Sequence, residues 1–176
     1  SVNLSSRQLI RRDLVNDVQS VIARANIKPR CFRLELTESL VMDNPEQSAH
    51  ILGKLKQLGI GLSLDDFGTG YSSLSYLRQL PFEEIKIDGS FVIDIETRES
   101  DRTLVRTMLA MAQTLGLTTV AEHVENERQE AFLRSFGCDH FQGYLYSPPL
   151  DEAAFVAYVE AAAVAPAHIS AMRRSA

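Results

Sequence analysis

The sequence predicts an α/β fold of the TIM-type (β/α)8 barrel kind, on three observations. Short apolar runs alternate with amphipathic stretches of helical spacing along nearly the whole chain. Amphipathic stretches stop at glycine in Leu58-Gly59-Ile60, Leu115-Gly116-Leu117 and Phe136-Gly137-Cys138, where a residue just past a helix end is expected. A polar residue then stands at or near the end of nearly every apolar run: Asn3, Glu35, the Asp65-Asp66 pair, Lys86 with Asp88, Glu122 and Gln142. Strands alternating with helices imply a parallel sheet. A doubly wound sheet is the competing architecture, but it concentrates its site at one switch point, whereas barrel strands all end on one chemical face. At roughly 31 residues per unit, the 176 residues hold about six β-α units. The expectation is a barrel whose first strands are missing from this sequence.

The elements follow in order. Val2–Leu4 is expected to end a strand. A helix starting at Ser5-Ser6 places Ile10, Leu14, Val18, Val21, Ile22 and Ala25 on one face. Phe32–Leu36 is a strand. Asn44-Pro45 supplies a cap and first position for a helix bearing Ile51, Leu52, Leu55 and Leu58. Strands follow at Ile60–Leu64 and Ile85–Ile87, then a helix with Leu104, Val105, Met108, Leu109, Ala112 and Leu115 on one face. Thr118–Ala121 and His140–Leu145 complete the strands. Asp151 caps a last helix carrying Phe155 and Val159. Residues 1–160 are expected to form the partial barrel domain, and residues 161–176, Ala-rich and then irregular around Pro166, a helix end and tail.

Composition narrows the function. The chain is 45% hydrophobic, enough for one sizeable core, and carries 23 acids against 18 Lys plus Arg, a net charge of −5. That balance is not the footprint of a DNA or RNA grip. No apolar run approaches the ~20 residues of a membrane helix. Cys31 and Cys138 form no CxxC pattern, so a reducing, cytoplasmic setting is expected.

The strand-end residues carry the chemistry. Gathered on one barrel face they are mostly carboxylates, with an amide and an amine. Hard oxygen ligands select Mg²⁺, Mn²⁺ or Ca²⁺. Adjacent Asp65 and Asp66 repel each other, and one carboxylate shared between ions about 3.5–4 Å apart is the arrangement of two-metal hydrolysis. A lone Asp at a strand end is more often a cap or turn residue, but Glu35, between Leu34 and Leu36, is costly to bury without a partner. Gly68-Thr69-Gly70 with Ser73 is a degenerate dinucleotide fingerprint, lacking its third glycine and preceded by acids that repel a pyrophosphate. An enolase-type site uses the same groups and stays open as an alternative.

Six stretches resemble, in order, the EAL domain of bacterial cyclic di-GMP phosphodiesterases: VNLS (Val2–Ser5), LELTES (Leu34–Ser39), DDFGTGYSSL (Asp65–Leu74), IKID (Ile85–Asp88), AEHVE (Ala121–Glu125) and QGYLYSPPL (Gln142–Leu150). The resemblance implies metal-dependent hydrolysis of one phosphodiester bond of cyclic di-GMP to linear pGpG. It implies that Asn3, Glu35, Asp65 and Asp66 ligate Mg²⁺ or Mn²⁺, two ions in all, with Ca²⁺ as an inhibitory ion. Lys86, Glu122, Gln142 and Glu125 would be catalytic, Glu38 would anchor the loop from Phe67 to Ser73, and Phe67, Gly68 and Gln142 would bind substrate. It further implies a homodimer, sensory or GGDEF domains in the same full-length protein, and a cytoplasmic location, free or as part of a membrane-anchored protein. The alternative it leaves is an inactive cyclic di-GMP receptor or protein-interaction module. Two departures stand out. The Glu-Ala-Leu signature and the arginine two places past it do not occur here, and so one expected metal-ligand glutamate is lacking; the resemblance assigns both to the absent first strand. His123 stands where the family commonly has glycine, expected to be a harmless change.

Overall fold

A computed structural model describes residues 1–70 and 74–164. Ser1–Leu145 form one compact unit, and a second begins at Tyr146.

In the first unit, β1 (Val2–Asn3), β2 (Arg33–Thr37), β3 (Gly61–Phe67), β4 (Glu84–Ile87), β5 (Thr118–Ala121) and β6 (His140–Phe141) form one parallel sheet in chain order. Chain order decides between the two architectures. A doubly wound sheet needs a reversal of strand order, and this sheet has none, so it is an arc of a TIM-type barrel.

Short helices α1 (Ser6–Leu9) and α2 (Leu14–Arg24) follow β1, and α3 (Glu38–Met42) and α4 (Pro45–Gln57) follow β2. Then come α5 (Leu74–Leu77), α6 (Gly89–Val92), α7 (Glu99–Leu115) and α8 (Glu127–Ser135). The single expected helix across Ile10 to Ala25 is thus two, broken at residues 10–13. The reason is burial: Ile10 is 67% exposed, whereas Leu9 and Leu14 are buried on either side of the break. The cap at Asn44 forms as expected, its side chain accepting from the Gln47 N–H at 3.2 Å with Pro45 in the first turn. Gly116 ends α7 at φ 69°, a left-handed value that costs a residue with a Cβ.

One face of the sheet is sealed by the helices. Leu34, Leu36, Leu62, Leu64 and Ile85 pack with Leu52 and Leu55 of α4, while Ile87 packs with Val105 and Leu109 of α7. Each fully buried Leu or Ile contributes about 1.5–3 kcal/mol, so this layer fixes the positions of the strands. The opposite face holds Arg33, Glu35, Asp65, Glu84 and Lys86, where Arg33 pairs with Glu84, and Lys86 with Glu35 and Asp65, across strands.

The strand ends differ most from expectation in two places. β3 runs on through Asp65 and Asp66 to Phe67, and β6 stops at Phe141 rather than Leu145. Beyond β6 the backbone still bonds across: Gln142 N–H donates to Ala121 and Val124 N–H to the Gln142 carbonyl. Gly143 then lies so close that a Cβ there would overlap the Val124 backbone. Gly143→Ala is therefore expected to cost about 2–4 kcal/mol in denaturant unfolding, because backbone rather than a flexible side chain must move.

In the second unit, α9 (Glu152–Val164) starts at Asp151, whose carboxylate accepts from the Ala154 N–H at 2.9 Å. Its Phe155 and Val159 are exposed. The expected tail, beyond α9, lies outside the described residues.

Candidate metal and phosphate site

Lys86 organises the site. Its strand, β4, is buried along its whole length, and the Lys86 side chain is 6% exposed. The ammonium lies 3.2 Å from Glu35 Oε2 on β2, 3.1 Å from Asp65 Oδ1 on β3 and 2.6 Å from Glu122 Oε1 just past β5. Burial alone would lower its pKa. Hydrogen bonds and charge attraction from Glu122 and then Asp65 outweigh this and raise it well above the ordinary lysine value.

The Asp65-Asp66 pair has a backbone explanation. Successive strand residues point to opposite faces, so two adjacent aspartates in a regular strand could not share a site. Between Leu64 and Phe67 the register with β4 shifts, and Asp66 takes φ 54°. This bulge turns both carboxylates toward Glu122, and one ligand oxygen from each of Asp65, Asp66 and Glu122 lies within 4.8 Å of the others.

These acids are short of positive charge. One ammonium serves Glu35, Asp65 and Glu122, and none of its contacts reaches Asp66. Burial, then the charges of Asp65 and Asp88, raise the Asp66 pKa. Burial also raises that of Glu122 despite Lys86. Glu35 is lowered: burial pushes it up, but hydrogen bonding to Ser1 and the attraction of Lys86 prevail. An all-oxygen, excess-anionic donor set fits a hard divalent cation.

The other expected site residues divide. Asn3 stands beside Glu35 in parallel register. Gln142 is exposed next to the end of β5, held by its backbone. Glu38 is 1% exposed and accepts from the Gly68 N–H at 3.0 Å through Oε2. Its Oε1 lies 2.8 Å from where a Cβ of Gly70 would stand, so glycine lets the loop close onto it. Tyr71, Ser72 and Ser73 of that loop lie outside the described residues. Phe67, expected to bind substrate, is 6% exposed and packs in the core. Gly68, at φ 99°, turns the chain tightly over Met108 and Phe91. Glu125 is exposed at the start of α8, and among the described residues no hydrogen bond or ion pair joins it to the carboxylate cluster.

Three further groups flank the site, of which the Arg33–Glu84 pair alone escaped the sequence reading. Asp88 caps α6 by accepting from the Ser90 N–H at 3.0 Å. Arg33 and Glu84 form an ion pair within the arc. Both precede recognised site residues, Glu35 and Lys86, by two positions, and that shared parity was the available signal. His123 adopts φ 54°, the left-handed region, and its ring takes the space a Cβ on Gly89 would need. Histidine there carries about 1–3 kcal/mol of strain. His123→Gly is therefore expected to raise stability by about 0.5–1 kcal/mol in chemical unfolding, where glycine ordinarily destabilises.

Comparison with known proteins agrees with this fold. The family model described as EAL domain matches residues 1–149. Cyclic di-GMP phosphodiesterase NbdA of Pseudomonas aeruginosa is 44% identical over 161 residues, covering 92% of this chain and 21% of that protein. The solved structure of the Pseudomonas aeruginosa MucR phosphodiesterase in complex with c-di-GMP is 40% identical, with TM-score 0.85, covering 87% of this chain and 62% of that one. Klebsiella pneumoniae BlrP1, solved with cyclic di-GMP and calcium or manganese, is 33% identical, with TM-score 0.77, covering 84% of this chain and 38% of that one. The chain thus spans about a fifth of the length of NbdA, at 21%.

Proposed function

Because this chain belongs to the EAL domain family, we propose that the protein containing it hydrolyses one phosphodiester bond of cyclic di-GMP, giving linear pGpG, with divalent cations held at Asn3, Glu35, Asp65, Asp66 and Glu122. The observation that carries the reading is the meeting of Lys86 with carboxylates from separate strands, at 2.6–3.2 Å, beside the oxygen cluster of Asp65, Asp66 and Glu122. Cations bound there would neutralise the acids, polarise the phosphoryl oxygens and lower the pKa of water.

The residues of the chain have the following roles. Lys86, kept charged by the carboxylates around it, holds a phosphate oxygen and stabilises charge developing on it. Glu122, whose buried carboxylate has a raised pKa, accepts a proton from the attacking water. Gln142 orients phosphate or water from the neighbouring strand end, and Glu38 fixes the loop beginning at Gly68. Glu125 supports from the rim. Homodimerisation and partner sensory or GGDEF domains belong to the same proposal, as does the cytoplasmic setting. Among the described residues no helix is long and apolar enough to cross a membrane.

The test is incubation of the full-length protein with cyclic di-GMP and Mg²⁺ or Mn²⁺, with chromatographic detection of pGpG. Metal-dependent appearance of pGpG, suppressed by chelator and by Ca²⁺, is expected. Tight binding with intact ligand would replace the phosphodiesterase by a receptor.

The proton affinities give a pH prediction for the ion-free protein. Asp66 and Glu122 are raised above ordinary values of 3.8 and 4.5, so the fold binds their protons more tightly than the unfolded chain does. The stability they contribute is full below those values and is lost as pH rises through the folded pKa. Glu122→Gln removes one part of that loss. Its unfolding midpoint, relative to wild type, is expected to become more favourable as pH rises above the ordinary glutamate value of 4.5.

A further inference from the structure

Beneath the Lys86 cluster, the arc holds a second charged layer. Glu84 lies two residues before Lys86 on β4, and Arg33 two residues before Glu35 on β2, so each pair shares one side of its strand. Arg33 and Glu84 are ion-paired although β3 runs between their strands. Gly61, the register partner of Arg33, makes the crossing possible: a Cβ on it would stand 3.0 Å from Arg33 Nε. Ser63, the next residue of β3 on that side, pairs in register with both Glu35 and Glu84 and is small. Glu84 is 5% exposed in its side chain, while Arg33 is 38% exposed. Arg33 therefore keeps contact with water, and Glu84 does not.

A buried carboxylate without a cation is strongly unfavourable. Should Glu84 lose Arg33, the nearest cation on its own strand is Lys86, whose Cα is about 6.6 Å away. That distance is within reach of a flexible lysine side chain. We propose that Arg33 is a positioning residue for Lys86: by pairing with Glu84 across β3, it removes the carboxylate that would otherwise draw the ammonium down and away from Glu35, Asp65 and Glu122. The activity arm of this inference rests on the phosphodiesterase reading; the structural arm does not.

The experiment compares Arg33→Met, Glu84→Gln and the double variant in the full-length protein. Crystal structures of the ion-free forms are determined alongside kinetics measured well below each unfolding midpoint. Arg33→Met is expected to bring Lys86 Nζ into hydrogen-bonding distance of Glu84. It is expected to lower kcat on the order of 10²-fold, as misplacement of a catalytic group by about 1 Å does, with KM changed less than about threefold. Glu84→Gln is expected to retain wild-type turnover, and adding it to Arg33→Met should restore Lys86 and kcat together. Where Arg33→Met does not fold, Arg33→Gln, which keeps a donor but no charge, takes its place with the same expectation. Lys86 remaining on Glu35, Asp65 and Glu122 in the Arg33 variant overturns the inference, as does a loss of kcat that Glu84→Gln leaves unrepaired. A wild-type protein that yields no pGpG defeats the functional reading alone, and the position of Lys86 still decides this one.

Discussion

Lys86→Ala is expected to lower turnover of cyclic di-GMP about 10³-fold, the scale seen when a donor to a developing oxyanion is removed. It should leave divalent-ion binding intact or tighter. In the ion-free protein the Lys86 ammonium lies against Glu35, Asp65 and Glu122 at 2.6–3.2 Å. Without it, these carboxylates face one another in a half-buried space. Breaking a buried ionic cluster from one side costs about 3–5 kcal/mol, so the ion-free variant should unfold at markedly lower denaturant. Added Mn²⁺ should recover much of that loss, because the cation then has no resident ammonium to compete with. Calorimetric titration together with denaturant unfolding checks the pairing of retained binding with lost turnover. Wild-type hydrolysis by this variant would remove the role given to Lys86.

Asp65→Asn is expected to have the opposite profile on ions and a similar effect on rate. The asparagine keeps the shape and still accepts from Lys86, so the fold should persist. The charge of Asp65 helps raise the pKa of both Asp66 and Glu122, and removing it relieves that repulsion. The ion-free variant should therefore be as stable as wild type or slightly more so. Divalent-ion affinity should fall by at least about tenfold, or 1.4 kcal/mol, and turnover about 10³-fold. A Mn²⁺ titration indistinguishable from wild type would exclude Asp65 as a ligand.

Much of this was legible in the sequence because the periodicities were long. The 13 residues of α4 and 17 of α7 give several turns of apolar spacing, and each ends at its expected glycine. The acids that meet at Lys86 were legible because each stands at or near the end of an apolar run. Other features lacked a readable signal. α3 and α6 have 5 and 4 residues, too short to show a helical period. The overrun of β3 depends on a bulge and a left-handed aspartate, which alternation of residue types does not reveal. Phe67 belongs to a motif, and its burial follows from where β3 ends. The Arg33–Glu84 pair spans 51 residues of chain, so parity with Glu35 and Lys86 along each strand was its one faint signal.

The backbone at His123, with φ 54° beside Glu122, has an evolutionary consequence. No single base change converts a histidine codon into a glycine codon. A lineage relaxing this turn must pass through an intermediate such as aspartate or arginine. His123→Asp tolerates the left-handed turn but sets a further anion against Glu122, while His123→Arg brings a competing cation to the carboxylate cluster. Each route crosses a form with disturbed electrostatics, and a conformationally costly side chain can thus persist where the peptide geometry itself favours none.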